Sequence, residues 1–389
     1  MKICIITEYF PQSENFEIKG GAEGCAFNES YQLSKNHDII VLTSKEKNVA
    51  SEYEINGIKV ICCGKNRSYV QAGSFLNRLY FMKDAYKIGK TLDIDLVIGY
   101  NFITHPVAWK VSQKLNIPSV ARYHDMWIGK WFKNMGITGL FGEILERYNL
   151  SRDFDLIVSV SQYTQKKLEK YFPKEKIAVV PNIVDFPPVK AEKFKKPTIS
   201  CVARLVEYKK IDDLIRAMNI LIKEFPDLQC KIVGTGPLEN RHKTLTKELK
   251  IEKNVHFCGF IEKHNDVLKI IKGSSIFCLP SIVEGFGIVI VEAMGCNVPF
   301  VAAEIPPVME ASGKKGGLFF KGEDWKDLAE KIKYLLQNPE IYKELQNEGY
   351  VQSQKYKGEN IAQELETLYL QLIEKKEEKL NKFCSFKNK

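Results

Sequence analysis

Short runs of β-branched and apolar residues alternate with helix-length amphipathic stretches along almost the whole chain, and this alternation constrains the fold more than any other feature. Strands separated by a helix cannot pair as hairpins. They pair in parallel through crossover helices, and both faces of such a sheet become covered. In the first half the strands are expected at Ile3–Thr7, Ile39–Thr43, Lys59–Cys62, Leu96–Tyr100, Ser119–Tyr123, Leu156–Ser161 and Ala178–Val180. In the second they are expected at Thr198–Ala203, Gln229–Val233, Val255–Cys258, Ser275–Leu279 and Phe300–Ala303. Between them the segment 182–197 carries Pro187, Pro188, Lys190, Lys193, Lys195 and Lys196, the composition of an exposed linker. A chain of 389 residues also exceeds what one hydrophobic core supports. The expectation is an α/β protein with two doubly wound, Rossmann-like domains, 1–186 and 187–355, followed by a C-terminal helix and basic tail over 356–389.

No apolar run approaches the roughly twenty residues that span a bilayer, and no signal-like core follows Met1-Lys2, so a cytoplasmic location is expected. Of the 10 cysteines, Cys4, Cys201, Cys230, Cys258 and Cys278 sit singly in strand-like runs, and Cys62-Cys63 is the one close pair. Without a CxxC set they read as buried, reduced thiols. The net charge of +9 is modest for this length and does not mark a nucleic-acid partner.

The most informative segment is Pro280-Ser281-Ile282-Val283-Glu284-Gly285-Phe286-Gly287-Ile288-Val289-Ile290-Val291-Glu292. An apolar strand precedes it and a helix follows. A glycine-bearing turn into a helix N-terminus presents unpaired backbone N–H groups and the positive end of the helix dipole, which suits a diphosphate. Glu284 and Glu292 are eight residues apart, roughly 12 Å at helical rise, so one carboxylate can accept from sugar hydroxyls and the other from ribose hydroxyls. That spacing alone is common by chance. Arg204 and Lys209, just past the Thr198–Ala203 strand, add a guanidinium fork and a point charge for phosphate oxygens. Gly234 and Gly236 in Gly234-Thr235-Gly236-Pro237 permit close backbone approach before a helix opening at Pro237. In the first half, Gly20-Gly21 opens a helix after a long loop 8–19, and His124-Asp125 closes the strand ending at Tyr123. Asp93-Ile94-Asp95 and Asp153-Phe154-Asp155 resemble metal-binding DxD strings but stand at the amino ends of strands, away from a ligand crevice, and read as turn residues.

Glu284 to Glu292, Arg204 with Lys209, Gly234 to Pro237 and Pro181-Asn182-Ile183-Val184-Asp185 occur in the order seen in family 4 retaining glycosyltransferases of the GT-B fold, which the chain resembles over nearly its whole length. That resemblance implies two facing Rossmann-like domains, an acceptor side in 1–186, a nucleotide-sugar side in 187–355, and C-terminal helices crossing back to the N-terminal domain. It implies a UDP- or GDP-linked hexose donor, a saccharide or lipid-linked acceptor, and no metal ion or other cofactor. Glu292 would bind ribose, Glu284 the transferred sugar, and Arg204 and Lys209 the diphosphate. Backbone around Phe286, Gly287, Ile288 and Val289 would meet sugar and phosphate, and Gly259, Phe260 and Ile261 the base. Gly20 and Gly21 would reach the donor phosphate, and His124 would orient sugar and acceptor. Transfer would retain configuration by same-face displacement, the leaving phosphate helping to deprotonate the acceptor.

The chain departs from that pattern at Lys210, at Ile183 and at Ile305-Pro306-Pro307, where glycines are usual. Two other classes of function stand beside the transferase, a nucleotide-sugar epimerase on the same fold and a non-catalytic lipid- or glycan-binding protein. Lys59 to Lys90 interleaves Lys59, Lys65, Arg67, Arg78, Lys83, Lys87 and Lys90 with Tyr69, Phe75, Tyr80, Phe81 and Tyr86. Such a face suits either an anionic membrane surface on the inner side or a helix packed by its aromatics with lysines in water. Trp127, Trp131, Phe132 and Phe141 serve equally as an apolar acceptor mouth or as core.

Overall fold

The structure, a computed structural model, describes residues 1–12, 20–47, 49–67, 75–184 and 188–387. Tyr69, the 13–19 part of the loop after the first strand, Asp185, Pro187 and the expected domain boundary at 186/187 lie outside the described residues. The chain divides into two compact units, Met1–Ile183 with Gly358–Lys389, and Val184–Lys357.

The first unit holds β1 (Lys2–Ile6), β2 (Asp38–Glu46), β3 (Glu52–Ile55), β4 (Ile58–Arg67), β5 (Leu96–Gly99), β6 (Ser119–Tyr123), β7 (Leu156–Ser159) and β8 (Ile177–Val179). They form one sheet in the order β3-β4-β2-β1-β5-β6-β7-β8. Every pairing is parallel except β3 with β4. That exception is a hairpin whose two-residue loop, Asn56-Gly57, has φ of 49° and 75°, the left-handed pair that an Asn-Gly turn supplies. The central strands are buried on both faces, as Ile3, Cys4, Ile5 and Ile6 of β1 show with no exposed surface.

The second unit holds β9 (Thr198–Val202), β10 (Gln229–Val233), β11 (Val255–Gly259), β12 (Ile276–Leu279), β13 (Phe300–Ala303) and β14 (Gly317–Phe320). Their order is β11-β10-β9-β12-β13-β14, with parallel pairing throughout. In both sheets the strand order reverses beside the first strand of the unit, between β1 and β5 and between β9 and β12. At such a reversal the two crossovers depart in opposite directions and leave a crevice at the carboxyl ends of the strands.

The cysteines behave as read: all nine described ones are free, and among them only Cys258 is partly exposed. Both DxD strings act as turns. Asp95 accepts the Lys2 backbone N–H at 2.7 Å and Asp93 pairs with the Lys2 ammonium, while Asp155 accepts from Ser119 N at 2.9 Å and Asp153 pairs with Lys176. The helix Gly358–Lys387 belongs to the first unit, where it packs on the helix Gly21–Ser34; Tyr369 Oη donates to Glu29 Oε1 at 3.3 Å, and His37 Nε2 lies 2.8 Å from Glu366 Oε1.

Candidate functional site

In the second unit the residues that the sequence marked stand on the loops after β9, β10, β11 and β12 and, for Ile288, Val289 and Glu292, on the helix that follows β12, and the reversal of strand order lies between β9 and β12. After Val202 the chain runs through Arg204 to a single 3-10 turn, Glu207–Lys209. This loop is seated on the loop that follows β10. Ala203 N donates to Val233 O, Leu205 N to Thr235 O, both at 3.0 Å, and Leu238 N to Leu205 O at 3.1 Å. A Cβ on Gly234, whose φ is +124°, would stand 2.1 Å from the Ala203 carbonyl oxygen, and one on Gly236 would stand 2.3 Å from that of Leu205. The close approach that these glycines allow is therefore to the Arg204 loop itself. The helix expected at Pro237 begins two residues later, as Glu239–Glu248. Arg204 is half-buried, and its guanidinium makes no hydrogen bond or ion pair among the described residues.

From β12 the chain turns through Ile282, whose N–H donates to Tyr208 O at 3.0 Å and so ties this loop to the Lys209 turn. Lys209 Nζ donates to Glu284 Oε1 at 2.5 Å, both side chains being largely buried. The helix begins only at Ile288, with Gly287 as N-cap at φ +94°. Glu284 therefore stands in the loop and Glu292 on the helix, and helical rise does not set their separation. Gly287 has no side chain to cap the first turn, so its N–H groups are open to an anion. Phe286 is buried edge-to-face on Tyr356, ring centroids 5.4 Å apart, and offers the site only its backbone. After β11, Gly259 has φ +69° with open space where a Cβ would stand, its carbonyl accepts from Gly234 N at 2.8 Å, and Phe260 is 48% exposed.

Sequence reasoning missed His264, the first residue of the helix His264–Gly273. Its Nε2 lies 3.0 Å from Glu292 Oε1 in a pair that is mostly buried. Burial disfavours the charge on His264, yet the adjacent carboxylate and their hydrogen bond outweigh it and hold the histidine above its usual pKa. The signal was faint: a histidine five residues past Gly259, in the loop read for the base.

The departures from the glycine pattern have local accounts. Lys210 adopts φ +50°, the conformation that a glycine would take freely, and its ammonium pairs with Glu323 at 2.6 Å. Pro306 and Pro307 open the helix Pro306–Ser312, where proline's fixed φ and missing donor cost nothing. Ile183 is buried, and its carbonyl accepts from Asn28 at 3.4 Å.

In the first unit, Gly20 is the N-cap of the helix Gly21–Ser34, after β1, and His124 follows β6 directly. His124 stacks at a tilt on Tyr100, centroids 4.8 Å apart, and its Nε2 is buried without a hydrogen-bond partner. Burial, then the charge of Arg122 and the neighbouring His105, push its pKa down to about 3, against the opposing pull of Asn182 and the Tyr100 backbone. It is a neutral imidazole. Beneath it Arg122, fully buried, donates to Val180 O at 2.7 Å and Pro181 O at 3.0 Å and lies 3.3 Å from Glu29, which also accepts from Tyr100 Oη at 3.1 Å. Of the four aromatics after His124, Trp127 donates to Asp125 at 2.7 Å and Trp131 to Glu146 at 2.6 Å, Phe141 meets Phe75 edge-to-face, and Phe132 is exposed.

The comparisons with known proteins agree with this arrangement. The family model described as Glycosyltransferase Family 4 matches residues 19–186, and that described as Glycosyl transferases group 1 matches residues 184–352. An uncharacterized glycosyltransferase of Haemophilus influenzae is 32% identical over 57% of this chain and 62% of its own length. A GDP-mannose-dependent monoacylated alpha-(1-6)-phosphatidylinositol monomannoside mannosyltransferase of Corynebacterium glutamicum is 31% identical over 49% of this chain and 55% of its own. The chain thus spans somewhat more than half the length of these curated relatives. The crystal structure of Anabaena HepE in complex with UDP and glucose superposes with a TM-score of 0.72 over 95% of this chain and 99% of that one, at 20% identity. Matched over residues 19–186 and 184–352 by two glycosyltransferase family models, and sharing the GT-B fold, this chain belongs to the family 4 glycosyltransferases.

Proposed function

We propose that the protein transfers a hexose from a UDP- or GDP-linked donor to a hydroxyl of a saccharide or lipid-linked acceptor, with retention of configuration and without a metal ion. The observation that carries this reading is the placement of Arg204 and Lys209 after β9 and of Glu284 and Glu292 after β12, the two strands that flank the strand-order reversal of the second unit, with Lys209 paired to Glu284. The named relative uses GDP-mannose and the named structural neighbour holds UDP and glucose, both consistent with a nucleoside diphosphate hexose.

On this reading Glu292 accepts from the ribose hydroxyls and Gly259 to Ile261 line the base. The open N–H groups at Gly287 to Val289, with Arg204 and Lys209, hold the diphosphate. Lys209 drawn toward the phosphate frees Glu284 Oε1 to accept from a sugar hydroxyl. The acceptor oxygen bonds to the anomeric carbon as the bond to the phosphate oxygen breaks, and the acceptor proton passes to that phosphate on the same face. The cations and the helix terminus stabilise the charge growing there. His124, neutral, orients hydroxyls rather than carrying a proton. The enzyme works in the cytoplasm.

Calorimetric titration of the protein with UDP- and GDP-hexoses tests the site. One family of donors binds, and Glu292→Ala weakens that binding by about a hundredfold or more, as expected for a buried carboxylate that accepts two hydroxyls. Unchanged binding in Glu292→Ala would overturn the assignment. An epimerised hexose formed without acceptor would overturn the transferase reading, and activity abolished by a chelator would overturn its independence of metal.

A further inference from the structure

The described residues of the first unit include an apolar surface that no part of the donor site uses. It is built from two elements. On the helix Phe75–Gly89, Phe75, Leu79, Lys83 and Lys87 follow one another at four-residue steps, so they form a single row along one face, and all four are exposed. The opposite face carries Phe81, Ala85 and Gly89 into the core. Leu76, 61% exposed, widens the row at its apolar end. The second element is the helix Gly139–Leu150 with the turn before it. Ile137 is 81% exposed and Ile144 60%, and Leu140 lies one helical step before Ile144. The edge-to-face contact of Phe75 with Phe141, centroids 4.3 Å apart, joins the two elements into one surface.

Large aliphatic side chains scattered singly over a surface need no explanation, but a joined set does. The charges around this set are of one sign. Lys83, Lys87 and Lys130 are exposed, and Lys65 lies over the Tyr80 ring at 4.2 Å from its centroid. The nearby acids are engaged within the protein: Glu143 accepts from Arg147 and from the Gly129 N–H, and Asp84 accepts from Gly64 N. Apolar side chains flanked by unpaired lysines, with no free carboxylate among them in the described residues, match the interface of a bilayer that carries anionic headgroups. Among the described residues no helix is long and apolar enough to cross a membrane, so the contact is one of lying on the surface.

We infer that the helix Phe75–Gly89 and the 137–144 segment together dock the first unit on an anionic lipid surface. The aliphatic side chains enter the acyl boundary, and the lysines of the same row meet phosphate. This inference rests on the exposed surface alone and stands or falls apart from the donor site.

Sedimentation with vesicles tests it. Protein incubated at low salt with vesicles of phosphatidylcholine and phosphatidylglycerol is expected to sediment, with pure phosphatidylcholine vesicles much less so, and with the difference shrinking as salt rises. Replacing Lys83 and Lys87 by glutamine lowers partitioning roughly fivefold per lysine. Leu140→Glu with Ile144→Glu abolishes it while leaving the melting temperature and circular dichroism unchanged, since both side chains are already in water. Failure to sediment with anionic vesicles, or binding that survives the glutamate pair, overturns the inference. So does a dimer in solution that the glutamate pair dissociates, because that outcome assigns the surface to a second copy of the chain.

Discussion

Glu292 is held at one oxygen only. His264 engages Oε1 at 3.0 Å, while the second oxygen makes no hydrogen bond among the described residues. A buried carboxylate with one fixed partner is oriented and still able to accept. The same economy appears at Glu284, whose Oε1 takes Lys209, and at His124, which is kept neutral by burial beside Arg122. His264 is therefore a positioning residue for the nucleotide. His264→Ala is expected to raise the donor KM by about tenfold, the worth of one hydrogen bond to a charged group, with kcat little changed. His264→Gln keeps a donor at that place and is expected to restore most of the affinity. Steady-state kinetics with varied donor checks the split. A fall in kcat with KM intact, or no recovery in the glutamine variant, would refute the positioning role. Should Glu292→Ala weaken binding while His264→Ala does not, the donor site stands and only the histidine's part in it falls.

The segment from Trp131 to Leu150 shows how one buried acid can organise an element. Glu146 sits on the helix Gly139–Leu150 with its carboxylate accepting from Trp127 N and from Trp131 Nε1, and the Trp131 ring lies so close over Gly142 that a Cβ there would meet it at 2.4 Å. Burial raises Glu146 to about 7 despite those donors. Its folded pKa exceeds the unfolded value of about 4.5, so the folded chain binds the proton more tightly. The stability that this contributes is complete below pH 4.5 and is lost as pH rises through about 7. Glu146→Gln is expected to flatten the fall in melting temperature between pH 5 and pH 8, a difference of about 3 kcal/mol at most. Parallel slopes in the two proteins would show that Glu146 does not carry it. At this scale much of the fold was legible. Runs such as Leu96–Gly99 and Phe300–Ala303 are buried on both faces and can be little else. β3 was missed because Glu52, Tyr53 and Glu54 dilute its apolar pattern, although Asn56-Gly57 announces the hairpin. β14 was missed because Gly317–Phe320 is four residues inside a glycine- and lysine-rich stretch, and its burial comes from pairing with β13. The site showed the same division. Charged residues at strand ends could be read from spacing, whereas the His264–Glu292 pair joins two helices and has no local signature.

Over the whole molecule the chain end returns to the unit where it began. Glu29 on the first helix takes Tyr100 from the end of β5, Tyr369 from the last helix and the ion pair with Arg122 from β6, and Arg122 in turn holds the Val180 and Pro181 carbonyls. Five distant parts of the sequence thus meet around one carboxylate with almost no exposed surface. In so dry a place the balance is asymmetric. A complete set of partners contributes little net stability, whereas removing one member strands a charge. Glu29→Ala leaves the Arg122 guanidinium buried without its counter-ion and is expected to cost about 3–5 kcal/mol. Tyr369→Phe removes a single donor and is expected to cost about 1 kcal/mol. The two losses should not add. Once Glu29 is gone, the Tyr369 hydroxyl has no acceptor there, so Tyr369→Phe in the Glu29→Ala background should cost close to nothing. Denaturant unfolding of the two single variants and the double variant measures this coupling. Independent, additive losses would mean that the last helix is held by its apolar face alone, and that the buried carboxylate does not fasten the end of the chain to its beginning.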